Sequence, residues 1–309
     1  MKIIFMGTPD FASETLKALY RADHSIELVV SQPDRPKGRG GKMQMTHVKE
    51  TALGLSLKVY QPEKIRDKEA IEYIKSYKPD IIVVAAFGQI LPKEVLDIPK
   101  HGCINVHASL LPLYRGASPI QRAVLNGDKY SGVTIMKMAE GMDTGDIIIQ
   151  EKIKLSDDET TGSLFDKLAD VGGKLCAKAV DLIEKGEATY TAQDNEKASY
   201  TKMIKKEEGH IDFSKDAESI ERLVRGMSPW PSAYTYLDGK ILKIWKAKVT
   251  DETADVPGKV ISADENGIKV ATSDKSILIK ELQLSGKKRM DTSSFLRGYN
   301  ISKDTILGK

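Results

Sequence analysis

The strongest constraint on the fold is an alternation of short apolar runs and amphipathic helical segments through residues 1–186. Largely apolar runs at Lys2–Met6, Ile26–Val30, Ile81–Ala86 and Cys103–His107 predict strands, with residues at helical spacing between them. The run Ile81–Ala86 is apolar without interruption, which is typical of a strand buried on both faces of a parallel sheet. The alternation predicts an α/β domain with a doubly wound, mostly parallel, Rossmann-like sheet.

The last third of the chain follows a different pattern. Residues 187–204 are polar and mostly aperiodic, which predicts a linker. After a short amphipathic helix, turn signals separate several short strands, at Asp238-Gly239, Pro257-Gly258, Asn266-Gly267 and Ser285-Gly286. The sequence therefore predicts two domains, residues 1–186 and 205–309, of which the second is an OB-like β-barrel.

Composition excludes several classes of protein. Of the 309 residues, 40% are hydrophobic and 29% are charged, which is an ordinary globular composition. No apolar run approaches the roughly 20 residues of a membrane helix, and the N-terminal residues lack the pattern of a secretory leader. Two cysteines are too few for a disulfide framework or a four-cysteine zinc site. We therefore expect a cytoplasmic protein with reduced thiols.

One predicted strand carries the densest group of polar side chains. Because side chains alternate along a strand, Asn105 and His107 share a face, with Cα atoms about 6.6 Å apart. Both can contact one small group at the carboxyl edge of the sheet, where sites form in such folds. On the residues alone, a histidine satisfied in a polar crevice beside a turn-closing asparagine explains the pair equally well.

A glycine-flanked acidic loop, Gly141–Asp146, lies between two predicted strands further along the chain. It can bring the carboxylate of Asp143 to the imidazole of His107 and orient or charge the ring. An ordinary Asx turn is the other interpretation that these residues allow.

Four other kinds of site fit the sequence poorly. The first strand–helix turn has the single glycine Gly7 where a dinucleotide site needs three. Pro36 and Met43 replace the glycine and the Ser or Thr of a phosphate-binding loop. The triplet Asp143-Thr144-Gly145 matches aspartic proteases, but their chemistry needs a second aspartate, and the triplet occurs once. The histidines and cysteine near Asn105 lack a fourth zinc ligand, so we expect no metal.

The motifs around these residues resemble those of formyltransferases that use 10-formyltetrahydrofolate. The resemblance rests on Asn105–Pro112, Tyr114–Ala117 and Pro119-Ile120, with Asp143–Asp146 downstream. Further motifs, similar to the members that act on methionyl-initiator tRNA, extend it over essentially the whole chain: Gly7–Phe11, Gln32–Pro36, Ala86–Pro92 and Pro229–Pro231. His47 stands where the family often has proline, which bears only on local loop shape.

The resemblance implies transfer of a formyl group from 10-formyltetrahydrofolate to the α-amino group of methionyl-initiator tRNA, giving N-formylmethionyl-tRNA for translation initiation. It implies that Asn105 and a protonated His107 donate to the developing oxyanion. Asp143 would favour the imidazolium and help to move the amine's proton. The residues that would shape the folate pocket, largely through backbone and apolar contacts, are Ser109, Leu110, Leu111 and Pro112.

Basic residues bear on the second substrate. The net charge of +3 lies entirely after residue 203, where 19 Lys and Arg stand against 16 Asp and Glu. A glycine-rich loop after the second strand carries Arg39 and Lys42, which the resemblance implies contact the acceptor end of the tRNA. A solvated basic loop is the other interpretation. The C-terminal domain would supply a second surface for phosphates, and we expect a monomer.

Two rival functions remain open. A formyltransferase for a small amine, such as glycinamide ribonucleotide or an amino sugar, would share Asn105, His107 and Asp143 but need neither basic segment. A non-catalytic RNA-binding protein would explain the basic segments, but not the polar residues that converge on one sheet edge.

Overall fold

The computed structural model of the protein describes residues 1–37 and 41–308. The chain forms two compact units. The N-terminal unit comprises Met1–Pro119, Tyr130–Lys154 and Phe165–Thr201; the C-terminal unit comprises Ile120–Lys129, Leu155–Leu164 and Lys202–Lys309. The units therefore differ from two continuous domains, because two short segments from the middle of the chain belong with its last third.

The strands of the N-terminal unit are β1 (Lys2–Gly7), β2 (Ser25–Val30), β3 (Arg35–Lys37), β4 (Lys42–Gln44), β5 (Val59–Tyr60), β6 (Ile81–Ala85), β7 (Cys103–His107), β8 (Arg115–Gly116), β9 (Tyr130–Lys137), β10 (Ile147–Lys154) and β11 (Tyr200–Thr201). Seven of them form one sheet in the order β10-β9-β7-β6-β1-β2-β5. All neighbours in it are parallel except β9, which is antiparallel to β7 and β10. The predicted doubly wound, mostly parallel sheet is confirmed.

The helices among and after these strands are α1 (Asp10–Arg21), α2 (His47–Gly54), α3 (Lys68–Ser76), α4 (Lys93–Leu96), α5 (Pro119–Asn126) and α6 (Thr161–Lys185), with a 3₁₀ turn at Asn195–Lys197. Of these, α5 from Ile120 onward and the first residues of α6 belong to the C-terminal unit. All five residues of β6 are buried, as its uninterrupted apolar sequence predicts. Helix α6 packs closely on β7, since a Cβ added at Gly172 would lie 3.1 Å from Cγ1 of Val106. Close packing of this kind fixes the strand from which the candidate site projects.

The C-terminal unit contains the helices α7 (Ala217–Gly226) and α8 (Thr292–Leu296), a 3₁₀ turn at Lys206–Gly209, and the strands β12 (Ala233–Leu237), β13 (Lys240–Thr250), β14 (Val260–Asp264), β15 (Gly267–Ala271), β16 (Ser276–Leu284) and β17 (Met290–Asp291). The strands pair antiparallel in the order β12-β13-β16-β15-β14, and β17 pairs with β16. Along β12, buried Ala233, Thr235 and Leu237 alternate with half-buried tyrosines. The predicted second, β-rich domain is confirmed.

Throughout residues 1–37 and 41–308, no helix is both long enough and apolar enough to cross a membrane.

Candidate active site

The candidate site begins at the carboxyl end of β7, in the middle of the large sheet. β6 flanks this strand in parallel, with Val84 opposite Asn105, and β9 flanks it antiparallel, with Thr134 opposite His107. Asn105 is half-buried, and His107 is 6% exposed. The structure therefore places both residues two positions apart on one interior strand.

The His107 ring lies between two oxygen acceptors. Its Nε2 is 3.0 Å from the carbonyl oxygen of Tyr114, and its Nδ1 is 3.7 Å from Oδ2 of Asp143. A neutral imidazole has one N–H and one acceptor nitrogen, so it satisfies only one of these oxygens. The Tyr114 carbonyl lies at hydrogen-bond distance from the ring, and the Asp143 carboxylate lies at a longer distance on the opposite nitrogen. The structure thus brings Asp143 to His107 across 36 positions of sequence.

A backbone hydrogen bond from another segment holds the Asp143 carboxylate in place. Its Oδ2 accepts a hydrogen bond of 2.8 Å from the backbone N–H of Gly116, and the side chain is 17% exposed. Asp143 itself has a left-handed backbone with φ of 52°. The sequence predicted a loop that could carry a carboxylate to the ring, but it did not predict that Gly116, in the Tyr114–Ala117 motif, would donate to that carboxylate.

Left-handed residues are concentrated around this pair. Tyr114, Gly116 and Ser118 alternate in the segment after β7, with φ values of 60°, 98° and 59°. Such conformations are disfavoured for residues with a Cβ and persist where neighbouring groups hold them. Here they point the Tyr114 carbonyl and the Gly116 N–H at His107 and Asp143 respectively.

The Asn105 amide differs from these groups, because its side chain makes no hydrogen bond to the described residues. A half-buried amide without a partner is free to donate to a ligand placed beside it.

The four residues expected at the folate are divided by burial. Ser109 and Leu111 are 2% and 3% exposed, and both are held internally. Oγ1 of Thr134 donates to the Ser109 carbonyl at 2.6 Å and accepts from the Leu111 N–H at 3.1 Å. Leu110 and Pro112 remain half-buried, so a ligand has better access to these two side chains.

An apolar residue at the same sheet edge escaped sequence reasoning. Ile90 is 90% exposed, in the segment that leaves β6, the parallel neighbour of β7. Because Ile90 lies in the mostly apolar motif Ala86–Pro92, the sequence predicts that its side chain is buried, and it was not identified as a candidate contact for a ligand. Two further polar residues contact the Asp143 loop or its neighbours. The buried Arg115 lies in the Tyr114–Ala117 motif but was assigned no role there, and the half-buried Gln193 carried no signal.

The two residues expected at the tRNA have different outcomes. Arg39 lies outside the described residues. Lys42 is exposed on β4, which pairs antiparallel with β3, so the residues flanking the expected loop form a small two-stranded sheet. Asp34 lies just before β3 and accepts hydrogen bonds from Gln61 at 2.7 Å and from Lys49 at 2.6 Å. These bonds hold the pKa of Asp34 below its usual value.

The C-terminal unit also presents cations. Lys246 and Lys248 are exposed on β13, and the guanidinium of Arg289 lies over the Trp245 ring at 4.7 Å from its centre. Arg289 is paired with Glu281, whereas Lys287 and Lys288 beside it are exposed.

The described residues offer no set of metal ligands at this site. Within residues 1–37 and 41–308, the one group of His and carboxylate side chains close enough to hold an ion is His24, Asp181 and Glu184, which lies elsewhere.

Comparison with known proteins gives a consistent result. Residues 1–180 match the family described as formyl transferase, and residues 203–300 match the formyl transferase C-terminal domain. The chain is 55% identical over 307 residues to the methionyl-tRNA formyltransferase of Agathobacter rectalis, covering 99% of each chain. It is 50% identical over 310 residues to that of Clostridioides difficile, covering 100% of each chain.

Solved structures share the fold at lower identity. HypX from Aquifex aeolicus in complex with tetrahydrofolic acid has a TM-score of 0.64 at 18% identity, covering 99% of this chain and 50% of its own. Methionyl-tRNA formyltransferase from Clostridium thermocellum has a TM-score of 0.54 at 20% identity, covering 81% of this chain and 94% of its own.

Proposed function

Because the chain belongs to the formyltransferase family and matches methionyl-tRNA formyltransferases along its whole length, we propose that the group at the end of β7 performs their reaction. The reaction transfers a formyl group from 10-formyltetrahydrofolate to the α-amino group of methionyl-initiator tRNA. The observation that carries the proposal is the placement of His107 between the Tyr114 carbonyl and Asp143, beside the unpartnered amide of Asn105.

The residues at the sheet edge fit a formylated folate. A pterin has flat apolar faces, and this edge presents the exposed side chain of Ile90 and the half-buried Leu110 and Pro112. We assign the folate to these side chains, together with the backbone of Ser109 and Leu111. The bound cosubstrate supplies an electrophilic carbonyl group, whose oxygen gains negative charge when an amine attacks it.

Asn105 stabilises that charge. Its amide N–H donates to the formyl oxygen without breaking an existing bond, and the strand holds it in position before the reaction. A preorganised donor of this kind contributes about 2.7–4 kcal/mol to transition-state stabilisation.

His107 contributes a second N–H. Its Nε2–H leaves the neutral Tyr114 carbonyl for the formyl oxygen, which is the stronger acceptor because it becomes charged. Asp143, whose Oδ2 lies 3.7 Å from Nδ1, orients the ring.

Asp143 also takes the proton that the attacking amine must lose. Gly116 occupies Oδ2, and the other carboxylate oxygen is the base. The tetrahedral intermediate then collapses: the bond between the formyl carbon and N10 of the folate breaks, the proton taken from the amine passes to N10, and tetrahydrofolate leaves. No covalent intermediate with the enzyme is required.

We assign Arg39, Lys42 and the exposed lysines of the C-terminal unit to the tRNA phosphates, since cations on both units suit a long polyanion. The enzyme then works as a monomer in the cytoplasm, where initiator tRNA is charged and used.

The function is tested by offering the purified protein and 10-formyltetrahydrofolate four amines separately: methionyl-initiator tRNA, methionine, glycinamide ribonucleotide and a nucleotide-linked amino sugar. We expect N-formylmethionine, detected by mass spectrometry after deacylation, from the tRNA alone. Preferential formylation of a small amine would establish the rival formyltransferase. Tight tRNA binding with no formylated product would establish the RNA-binding rival.

A further inference from the structure

Every hydrogen-bonding position of the Gln193 side-chain amide is occupied, and half of these hydrogen bonds go to the acidic loop that carries Asp143. Its Nε2 donates to the carbonyl oxygen of Asp143 at 2.9 Å and to that of Gly145 at 2.7 Å. Its Oε1 accepts from Nε and Nη2 of Arg115 at 3.1 and 2.9 Å. A primary amide has two N–H donors and two acceptor lone pairs, and all four are engaged here. Gln193 therefore ties the loop that carries Asp143 to a buried guanidinium.

Arg115 is an unusual anchor for such a bond. It is 1% exposed, and no carboxylate of the described residues lies within ion-pairing distance. Besides Gln193, its partners are the Asn195 side-chain oxygen at 2.8 Å and the Tyr200 hydroxyl at 3.0 Å, and it lies over the Tyr200 ring. Burying a guanidinium without a counter-ion is costly unless its N–H groups are satisfied. A carboxylate at position 193 would satisfy them better but could not donate to the Asp143 loop.

Residues 199–201, shortly after Gln193, hold the stretch of residues 114–117 in place. β11 pairs with β8 in parallel, with Tyr200 opposite Arg115. Oγ of Ser199 accepts from the Tyr114 N–H at 2.8 Å, and Oγ1 of Thr201 donates to the Ala117 carbonyl at 2.6 Å. The carbonyl that meets His107 and the N–H that meets Asp143 both lie within this paired stretch. Gln193 and residues 199–201, which the sequence predicted as part of a linker, thus brace the site.

We propose that Gln193 is a positioning residue that sets Asp143 relative to His107, through paired hydrogen bonds to the acidic loop that are anchored on Arg115. The proposal rests on the proposed function, in which Asp143 acts on the ring and on the amine. Gln193 itself contacts neither ring nor substrate.

Two variants that place the same new charge against Arg115 provide the test. Gln193→Glu gives the guanidinium an anionic partner but removes both donors to the Asp143 and Gly145 carbonyls. Asn195→Asp gives it an anionic partner as well and leaves those donors intact. Both variants keep Arg115 paired, so we expect unfolding midpoints at or above that of the wild type.

For Gln193→Glu we expect kcat to fall about 10- to 100-fold, since displacing a catalytic group by about 1 Å has effects of this size. The KM values for tRNA and folate stay close to wild type, the pH profile of kcat changes shape, and the His107 ring signals shift in NMR spectra of ¹⁵N-histidine protein. For Asn195→Asp, kcat, the pH profile and the ring signals all stay as in the wild type. Should Gln193→Glu unfold, Gln193→Asn, which keeps the amide on a shorter stem, shows the same changes in smaller degree.

Asp143→Asn, measured in parallel, separates this inference from the proposed function. A defective Asp143→Asn beside a Gln193→Glu with wild-type kcat, pH profile and ring signals overturns the positioning role alone. Equal losses in Gln193→Glu and Asn195→Asp also overturn it, because charge at Arg115 would then be the cause. Wild-type kcat in Asp143→Asn overturns the role of Asp143 and this inference together.

Discussion

Cys103 lies two residues before Asn105 on β7, yet its surroundings exclude it from the chemistry. The side chain is 1% exposed, and burial raises the pKa of its thiol to about 12. Since the thiolate is the reactive form, Cys103 stays inert at neutral pH. Cys176 is fully buried, and burial likewise raises the pKa of its thiol to about 12.

We expect iodoacetamide at pH 8 to leave both thiols and formyl transfer unchanged in the native protein, and to label both thiols in urea. Above about pH 9 the thiols ionise in the unfolded chain but not in the folded one, so they lower stability as the pH rises towards 12. Mass spectrometry counts the labels, with Cys103→Ala as the control. Inactivation of the native wild type, spared in Cys103→Ala, would show that this thiol is reactive in the folded protein.

Residues with a local signal were predictable, and residues defined by distant partners were not. Asn105 and His107 follow from the alternation of one strand. The role of Gln193 depends on Arg115, which is 78 positions away in sequence. The residues next to an arginine do not reveal whether its side chain is buried or exposed. For Ile90 the error is the reverse: its sequence predicts burial, but its side chain is exposed because of how the segment after β6 turns.

At the scale of elements, the loop between β9 and β10 has no space for a side chain at Gly145. A Cβ at Gly145 would lie 1.7 Å from the carbonyl oxygen of Lys137, which is backbone and cannot move aside. Gly145→Ala therefore displaces the loop and Asp143 with it.

We expect Gly145→Ala to lower kcat at least as much as removal of the Gln193 bonds, by about 100-fold, while tRNA affinity stays near wild type. Gly54→Ala, where a Cβ meets nothing within 4 Å, is the matched control and should be fully active. Steady-state kinetics with filter binding measures both quantities. Full activity in Gly145→Ala would show that the loop need not be fixed.

The two-stranded β3–β4 element is joined to the sheet through Asp34. Its carboxylate is 23% exposed and accepts from Gln61 and Lys49, so Asp34→Ala should lower the free energy of unfolding by about 1–2 kcal/mol at pH 7. The hydrogen bonds from Gln61 and Lys49 lower the pKa of Asp34. This stabilisation is therefore present above its unfolded pKa, near 3.8, and disappears as the pH falls through the folded value. Urea unfolding should show a smaller difference from wild type at pH 3 than at pH 7; an equal difference at both would indicate a packing defect instead.

Strands and helices were predictable from the sequence where several consecutive residues followed one apolar pattern. The interior strands β6 and β7 both follow from apolar patterning. The pairing of β8 with β11 did not, because two residues per strand leave no period to detect. Contacts between distant parts of the chain also determine that two mid-chain segments, Ile120–Lys129 and Leu155–Leu164, belong to the C-terminal unit.

At the scale of the whole molecule, a small net charge coexists with local basic surfaces. The total is +3, yet Lys42 on one unit and Lys246, Lys248, Lys287 and Lys288 on the other are exposed. Counterions released from a tRNA make binding depend on the number of such cations that contact phosphates. Deleting residues 205–309 would not isolate this effect, because Ile120–Lys129 and Leu155–Leu164 would be left without the unit to which they belong.

Charge substitutions isolate it. We expect Arg39→Ala with Lys42→Ala to weaken tRNA binding and to reduce the slope of log affinity against log salt by about 0.7–0.9 for each phosphate that is no longer neutralised. Folate binding, followed by fluorescence, should not change. Arg66→Ala with Lys68→Ala removes the same charge from exposed positions on another segment and is the control. An unaltered salt slope in the Arg39 and Lys42 variant would leave its basic segment as solvated surface.

Formyl transfer by this protein depends, in the mechanism proposed above, on the polar residues at the end of β7. The most direct test is the single-turnover rate of transfer from saturating 10-formyltetrahydrofolate to methionyl-initiator tRNA in Asn105→Ala and His107→Ala. We predict rates about 10²–10³-fold below wild type, as for removal of one oxyanion donor, with dissociation constants for both substrates nearly unchanged. Near wild-type rates in both variants would contradict the mechanism, since the formyl group would then be transferred elsewhere on the protein.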